Sequence, residues 1–94
     1  MGDMIIARRF IVKGDVQGVG FRYFTLRAAR SLGIVGRVRN LPDGSVEAIA
    51  EGPAGAIDNF TRELARGPSH SHVSSVDETE LPATGSYKDF DVSY

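Results

Sequence analysis

The chain has 94 residues, no cysteine and a net charge of −1. This length fits one domain, so we expect residues 1–94 to form a single unit. The lack of cysteine excludes disulfides, thiolate metal sites and cysteine nucleophiles. No stretch approaches the roughly 20 apolar residues needed to span a bilayer, and the apolar run at residues 4–7 is too short for a signal peptide. The sequence therefore predicts a cytoplasmic protein that does not bind membranes.

The charges are distributed unevenly along the chain. Residues 1–40 carry eight bases and two acids, a balance of +6, and residues 41–94 carry three bases and ten acids, a balance of −7. A basic half can attract an anion, although it can equally consist of solvated arginines on helices and strands. The near-neutral total argues against extensive nucleic-acid binding, whose affinity comes mostly from phosphate neutralisation.

The first third of the sequence predicts a strand, a glycine-rich loop and a helix. Residues 4–13 are rich in β-branched and aromatic types, as is typical of a half-buried strand. Residues 14–20 hold three glycines and predict a loop. Residues 21–32 predict a helix, because their apolar side chains recur at helical spacing. The apolar stripe consists of Phe21, Phe24, Thr25, Ala28 and Leu32.

A hairpin is predicted next. Residues 35–41 and 45–51 favour strands, and Pro42-Asp43-Gly44 between them favours a turn, since proline presets φ and glycine accepts a positive φ. In the second strand a face of small apolar residues opposes a mostly charged face that contains Glu47 and Glu51.

The rest of the chain predicts a second helix and two short strands. Pro53 suits the first turn of the helix, Ile57, Phe60 and Leu64 recur in it at helical spacing, and Gly67-Pro68 ends it. Residues 69–75 predict a polar loop, and strands are expected near 73–80 and 87–93. The order β-α-β-β-α-β, with a possible short extra strand at the C-terminus, predicts an α+β, ferredoxin-like split βαβ sandwich. In that fold two helices cover one face of an antiparallel sheet.

The loop before the first helix is the best candidate for a binding site. Its backbone N–H groups and the helix N-terminus can converge on an anion, and glycines at 18 and 20 allow close approach. Arg22, in the first helical turn, can add a bidentate guanidinium. The predicted phosphate-binding residues are Asp15, Val16, Gln17, Gly18, Val19, Gly20, Phe21 and Arg22. A plain glycine-rich connection beside a surface arginine is the alternative.

Other polar motifs are weaker. Asn40 closes the second strand, where it can hold a water near the first loop or simply form the turn. His70 and His72 lack a third metal ligand and predict a polar loop. Asp89 and Asp91 lie too close to the C-terminus to complete a phosphorylated-aspartate site and are interpreted as structural.

At this point the chain resembles the acylphosphatase family over nearly its whole length. The first loop in combination with Asn40 is the most specific part of the match. The matching segments are Gly14-x-Val16-Gln17-Gly18-Val19-Gly20-Phe21-Arg22, Leu32-Gly33, Gly36-x-Val38-x-Asn40, Asp43-Gly44-Ser45-Val46-Glu47, Glu51-Gly52, Phe90 and Tyr94. One departure is Arg37, which stands where the family very often has tryptophan, and it affects local packing or substrate preference.

The resemblance implies hydrolysis of the carboxyl-phosphate bond of small acyl phosphates to a carboxylate and inorganic phosphate. It implies that Arg22 is the phosphate-binding catalytic arginine and that Asn40 orients the attacking water. No cofactor and no metal are expected, phosphate or sulfate should bind as product or mimic, and the protein should be a monomer. Two alternatives stay open, an inert anion-binding module and a ferredoxin-like RNA-binding domain.

Overall fold

The computed structural model describes residues 4–94, which form five strands and two helices in the predicted order. The elements are β1 (Ile5–Asp15), α1 (Phe21–Ser31), β2 (Val35–Asn40), β3 (Val46–Pro53), α2 (Ala54–Arg66), β4 (His72–Leu81) and β5 (Phe90–Val92). The extra C-terminal strand is therefore real. No helix within residues 4–94 is long and apolar enough to cross a bilayer.

The strands form one sheet in the order β4-β1-β3-β2-β5. The pairs β4–β1, β1–β3 and β3–β2 are antiparallel, whereas β5 pairs in parallel with β2. The antiparallel sheet predicted for the β-α-β-β-α-β strands is confirmed, and the extra strand β5 adds one parallel pair at this edge. The cause is the chain path: β4 ends at the end of the sheet where β2 begins, so β5, after crossing to the far edge, runs in the direction of β2.

This arrangement places three chain segments at one end of the sheet. β1, β2 and β5 run in the same direction, and α1 begins shortly after β1 ends. The loop at residues 16–20, the last residue of β2 and the C-terminus therefore meet at that end. The sequence elements that carry the candidate site are separated along the chain and are brought together by the strand order.

The hydrophobic core lies between the sheet and the two helices. Phe10 of β1 contacts Phe60 of α2 edge to face, with ring centroids 5.6 Å apart, and Phe60 contacts Phe90 of β5 at 5.9 Å. The helices bury Phe21, Thr25 and Ala29 of α1 and Ile57, Phe60 and Leu64 of α2. The predicted stripe of α1 is thus rotated toward Ala29, while Phe24, Ala28 and Leu32 are half-buried.

β1 and β4 are longer than predicted. A register shift between Lys13 and Gly14 marks an irregularity in β1, after which Gly14 pairs with Val73 and Asp15 with His72. His72, expected in the polar loop, is therefore strand, as are residues 73–75, where the loop and strand predictions overlapped. β4 lies at the sheet edge and is polar on most positions, so its sequence carries no alternating apolar signal.

The sheet face away from the helices buries two carboxylates. Glu47 accepts hydrogen bonds from Arg9 on β1 and Arg39 on β2, both at 2.7 Å. Glu51 accepts from the backbone N–H groups of Thr84 and Gly85. The charged face predicted for β3 is therefore correct in composition, but Glu47 and Glu51 are each only 4% exposed.

Candidate active site

A cleft of about 250 Å³ opens at the end of the sheet where α1 begins. It lies between the glycine-rich loop, the end of β2 and the C-terminal residues that follow the start of β5. The lining residues are Gly18, Gly20, Phe21, Arg22, Tyr23, Asn40, Val92 and Tyr94. No Asp or Glu is among these residues, so the side chains of the cleft favour an anion.

Two glycines shape the loop side of the cleft. Gly18 and Gly20 adopt φ values of 75° and 76°, in the left-handed region that favours glycine. A Cβ added at either residue would meet nothing within 4 Å, so the space beside both is open to a ligand. The sequence thus places glycine where the backbone turns and where a ligand can approach closely.

The N-terminus of α1 is open toward the same space. Gly20 is its N-cap and provides no side-chain hydrogen bond to the helix, and the first turn contains no acidic residue. The first N–H groups of a helix have no partner within the helix, since the regular pattern begins with Phe24 N–H donating to the Gly20 carbonyl. These donors and the positive end of the helix dipole favour an anion at this position.

The remaining loop residues do not direct side chains at the cleft. Asp15 is the exposed last residue of β1, paired with His72, and Val16 is buried in the core with 1% exposure. Gln17 donates from Nε2 to the carbonyl oxygens of Leu41 at 2.8 Å and Ser45 at 2.9 Å. Half-buried Val19 packs against the core. These four residues can act on a ligand only through their backbone, and Gln17 fastens the loop to the β2–β3 hairpin.

Arg22 presents a free guanidinium at the cleft. Within residues 4–94 it has no ion pair or hydrogen bond, and its contact is with the Tyr94 ring, whose centroid lies 4.9 Å from its central carbon. By contrast, Arg9, Arg30 and Arg39 each hold a carboxylate within 3.5 Å. The five N–H donors of Arg22 therefore stay available for a ligand.

Asn40 faces the same cleft from the end of β2. Its side-chain oxygen Oδ1 is buried and has no hydrogen-bond partner among the residues that the structure describes. Buried polar atoms are usually satisfied, so an orphaned amide oxygen beside an open cleft indicates a position for a water or a ligand donor. Its strand partner Val46 is fully buried, which holds the backbone of Asn40 in place.

The turn after Asn40 is held by its own hydrogen bonds. The hydroxyl and backbone N–H of Ser45 both donate to Asp43, and these bonds lower the pKa of the Asp43 carboxyl below its ordinary value of 3.8. The carbonyl of Leu41 accepts from the N–H of Gly44 as well as from Gln17. These hydrogen bonds hold the hairpin in one conformation and so fix the position of the end of β2.

Three cleft residues were not singled out as site residues from the sequence. Tyr23 is 62% exposed on the first turn of α1, and Val92 and Tyr94 reach the cleft from β5 and the C-terminus. Tyr94 was already one of the residues that match the acylphosphatase family, and this match could have indicated a place in the site. For Val92 the sequence held no such indication, because its position depends on the parallel pairing of β5 with β2.

Residues 4–94 contain no group of three His, Cys, Asp or Glu side chains that could hold a metal ion. His70 is exposed in the turn before β4, and His72 lies on β4 opposite Asp15. Asp89 and Asp91 accept from the Arg30 guanidinium at 3.2 and 3.5 Å, which ties β5 to α1.

Comparison with known proteins decides the family. A model of the acylphosphatase family matches residues 8–92. The chain belongs to the acylphosphatase family. An acylphosphatase of Rubrobacter xylanophilus is 50% identical over 89% of this chain and 76% of its own length, and one of Thermotoga petrophila is 48% identical over 94% and 97%. The crystal structure of acylphosphatase from Bacillus subtilis superposes with a TM-score of 0.91 at 38% identity, covering 97% of this chain and all of the other.

The predictions of the family, of the ferredoxin-like fold and of an enzyme are confirmed by these matches. Hydrolysis of acyl phosphates is the known activity of acylphosphatases, and small acyl phosphates are their substrates. Residues 20–24 faintly resemble an RNA-binding aromatic motif, but they open a helix and Phe21 is buried, which disfavours the RNA-binding alternative. An RNA-stacking motif of this type needs a strand with exposed aromatic rings.

Arg37, the departure from the usual acylphosphatase residue, does not line the cleft. It lies on β2 between Ile49 of β3 and Asp91 of β5, on the sheet face away from the helices. Its Nε is buried without a partner among residues 4–94. An arginine at position 37 therefore affects packing on the sheet face away from the helices.

Proposed function

We propose that Arg22 and the backbone of residues 15–22 bind the phosphoryl group of an acyl phosphate and that Asn40 orients the attacking water. The observation that carries this proposal is the shared cleft. The unpaired guanidinium of Arg22 and the unpaired buried oxygen of Asn40 line one space at the N-terminus of α1. Neither the Arg22 guanidinium nor the Asn40 Oδ1 has a hydrogen-bond partner within residues 4–94, and the two groups suit the phosphoryl group and the water that hydrolysis requires.

Binding places the phosphoryl oxygens against the loop. The backbone N–H groups near Gly18 and Gly20 and the first turn of α1 donate to these oxygens, and Arg22 donates through its planar fork. Charge spreads over the same oxygens in the transition state of phosphoryl transfer. Donors already fixed in position stabilise that charge without reorganisation.

The chemical step is attack of water on phosphorus. The Asn40 Oδ1 accepts a hydrogen bond from the water and directs its oxygen in line with the bond to the acyl oxygen. A new P–O bond forms, the P–O bond to the acyl group breaks, and the electron pair leaves with the carboxylate. A phosphoryl oxygen takes the proton of the water, giving inorganic phosphate. A carboxylate is a good leaving group, so no strong general acid is needed.

The proposal includes the oligomeric state, location and ligands expected from the sequence. Residues 1–94 act as a single domain and a monomer in the cytoplasm, without cofactor, metal, nucleic acid or membrane. Inorganic phosphate or sulfate binds at residues 15–22 as product or mimic and competes with substrate. The open cleft of about 250 Å³ is large enough for a phosphoryl group with a small acyl substituent.

The decisive experiment is hydrolysis of a simple aryl acyl phosphate, followed by ultraviolet absorbance, for the natural protein and its Arg22→Gln variant. We expect turnover that the variant loses, competitive inhibition by phosphate, and no change on addition of a chelator. An inert anion-binding module would bind phosphate without turnover. Activity that a chelator abolishes and magnesium or zinc restores would contradict the metal-free mechanism.

A further inference from the structure

A groove between α1 and α2 runs along the solvent-exposed side of the helix layer. Two adjoining spaces, of about 460 and about 310 Å³, make up this groove. Both are lined by Ala28, Ser31 and Glu63, so they form one continuous surface. From Gly20 to Leu32 the groove follows α1 for about 18 Å, or about three helical turns.

The α1 side of the groove is apolar. Phe24, Ala28 and Leu32 line it and lie four residues apart, so they occupy neighbouring positions on the helix surface. They are the members of the predicted apolar stripe of α1 that the core leaves half-buried. The apolar surface of α1 therefore extends beyond the face that packs on the sheet and into the groove.

The net charge of the groove is positive. Arg27 on α1 and Arg62 on α2 line it, and neither has a carboxylate partner within the described part of the chain. Arg62 donates instead to the neutral amide of Asn59. Glu63 is the one acid among the described lining residues, and Arg66 binds it through hydrogen bonds of 2.8 and 2.9 Å. Each side of the groove therefore carries an uncompensated positive charge.

We propose that this groove binds an acidic amphipathic helix of a partner protein. The apolar side chains of the partner helix, spaced three and four residues apart, pack on Phe24, Ala28 and Leu32. Its flanking carboxylates pair with Arg27 on one side and Arg62 on the other, which gives the charge complementarity that steers association. About 12 residues of a partner helix span the groove.

The groove and the cleft are separate binding surfaces. Arg22 and Arg27 are five residues apart, which places their side chains about 140° apart around the helix. Arg22 lines the cleft and Arg27 lines the groove, and the two spaces meet at Gly20 and Tyr23. A partner in the groove therefore leaves the Arg22 guanidinium available to substrate.

The test is binding of a synthetic peptide to the whole protein. The probe is a fluorescein-labelled peptide of about 15 residues, with leucines on one helical face and glutamates beside them. A second peptide carries lysine in place of every glutamate. Fluorescence anisotropy should show that the acidic peptide binds about ten-fold or more tightly than the basic one. The helicity of the acidic peptide should rise on binding, and its affinity should fall as salt rises to about 0.5 M.

Variants of the groove test the assigned contacts. Arg27→Glu and Arg62→Glu should each weaken binding of the acidic peptide by about five- to ten-fold, because attraction becomes repulsion. Lys88→Glu is the matched control and should keep the natural affinity, since Lys88 is an exposed base before β5 that lines neither the groove nor the cleft. Ser31→Trp fills the groove from the exposed end of α1 without a change of charge, and it should abolish binding. Thermal unfolding verifies that each variant is folded.

Equal affinities for the acidic and the basic peptide would overturn the proposal, as would equal losses in Arg27→Glu, Arg62→Glu and Lys88→Glu. Displacement of the acidic peptide by inorganic phosphate at constant ionic strength would also overturn it, because the peptide would then occupy the cleft.

Two other occupants are tested in parallel, and a positive result for either would replace the partner helix. Arg27-dependent binding to phosphatidylserine vesicles, without binding of the acidic peptide, would assign the groove to a membrane surface. A dimer in sedimentation equilibrium that Arg62→Glu dissociates would assign it to a second copy of this chain.

Discussion

The side-chain amide of Gln17 donates to the carbonyl oxygen of Ser45 at 2.9 Å and so joins the glycine-rich loop to the hairpin that follows Asn40. The same amide also donates to Leu41, the residue next to Asn40, at 2.8 Å. A side chain that precedes Arg22 by five positions therefore fixes the distance between the two proposed reactant sites. The loop contributes rigidity through Gln17 and proposed ligand donors through its backbone.

Replacing Gln17 by alanine should loosen both sides of the cleft together. We expect a loss of about 1–2 kcal/mol in the free energy of unfolding, as for two partly exposed hydrogen bonds. Both kcat and kcat/KM should fall, because small displacements of catalytic groups are costly. Gln17→Glu keeps the size but sets a carboxylate against two carbonyl oxygens, so it should be at least as damaging. Thermal unfolding and steady-state kinetics on both variants check this, and an unchanged kcat would refute the coupling.

Arg22→Lys should be far less active although it preserves the charge. Lysine lacks the planar fork, so the orientation of the phosphoryl group is lost, and we expect kcat/KM to fall by about 10²-fold or more. The thermal midpoint should hardly change, because Arg22 has no ion pair within residues 4–94. Its contact there is with the Tyr94 ring. Near-normal turnover in a folded Arg22→Lys protein would remove Arg22 from the mechanism.

Asn40→Ala separates water positioning from turn formation. If Asn40 orients water, kcat should fall on the order of 10²–10³-fold, about 3–4 kcal/mol, while KM and inhibition by phosphate stay nearly constant. Stability should change little, since no protein group within residues 4–94 is bonded to its Oδ1. A residue that merely forms the turn predicts the reverse, namely a lower thermal midpoint with kcat intact.

Glu47 should make stability depend on acid pH. Burial by itself raises the pKa of Glu47, but hydrogen bonds from Arg9 and Arg39 outweigh it and hold the pKa below the ordinary 4.5. A lowered pKa stabilises the fold above the unfolded value, and this stabilisation is lost as pH falls through the folded pKa. Glu47→Gln should therefore lower the thermal midpoint at pH 7, and the gap to the natural protein should narrow as pH falls below 4.5 and through the lowered folded pKa. A gap that is constant between these pH values would contradict the assignment.

Gly36 should tolerate no side chain. Its φ is 144°, and a Cβ would overlap the carbonyl oxygen of Ile49 on the neighbouring strand. Gly36→Ala should therefore cost several kcal/mol or prevent folding, because both the backbone and β3 must move. Gly44→Ala is the control: its φ is 94° but its Cβ would meet nothing within 4 Å, so only the backbone strain of about 1 kcal/mol applies. Equal thermal midpoints for the two variants would show that the contact with Ile49 is unimportant.

Local patterns were sufficient to predict most elements of the fold. The apolar spacing in α2 predicted the buried residues Ile57, Phe60 and Leu64, and these are the ones that α2 buries. The Pro42-Asp43-Gly44 turn lies where it was predicted. β4 was predicted too short, since an edge strand with polar residues on both faces resembles a loop in its sequence.

The sequence by itself determined the element order, the positions of the glycines in the first loop and, through its resemblance to a family, the family and its chemistry. These features depend on short stretches of chain, where backbone preferences and side-chain spacing act locally. Only the tertiary structure decided that β5 pairs in parallel with β2, that Tyr94 lies over Arg22, and that Gln17 turns from the cleft to the hairpin. The physical reason is that these contacts join residues 24 or more positions apart, so they depend on the strand order and on competition among partners that no local pattern encodes.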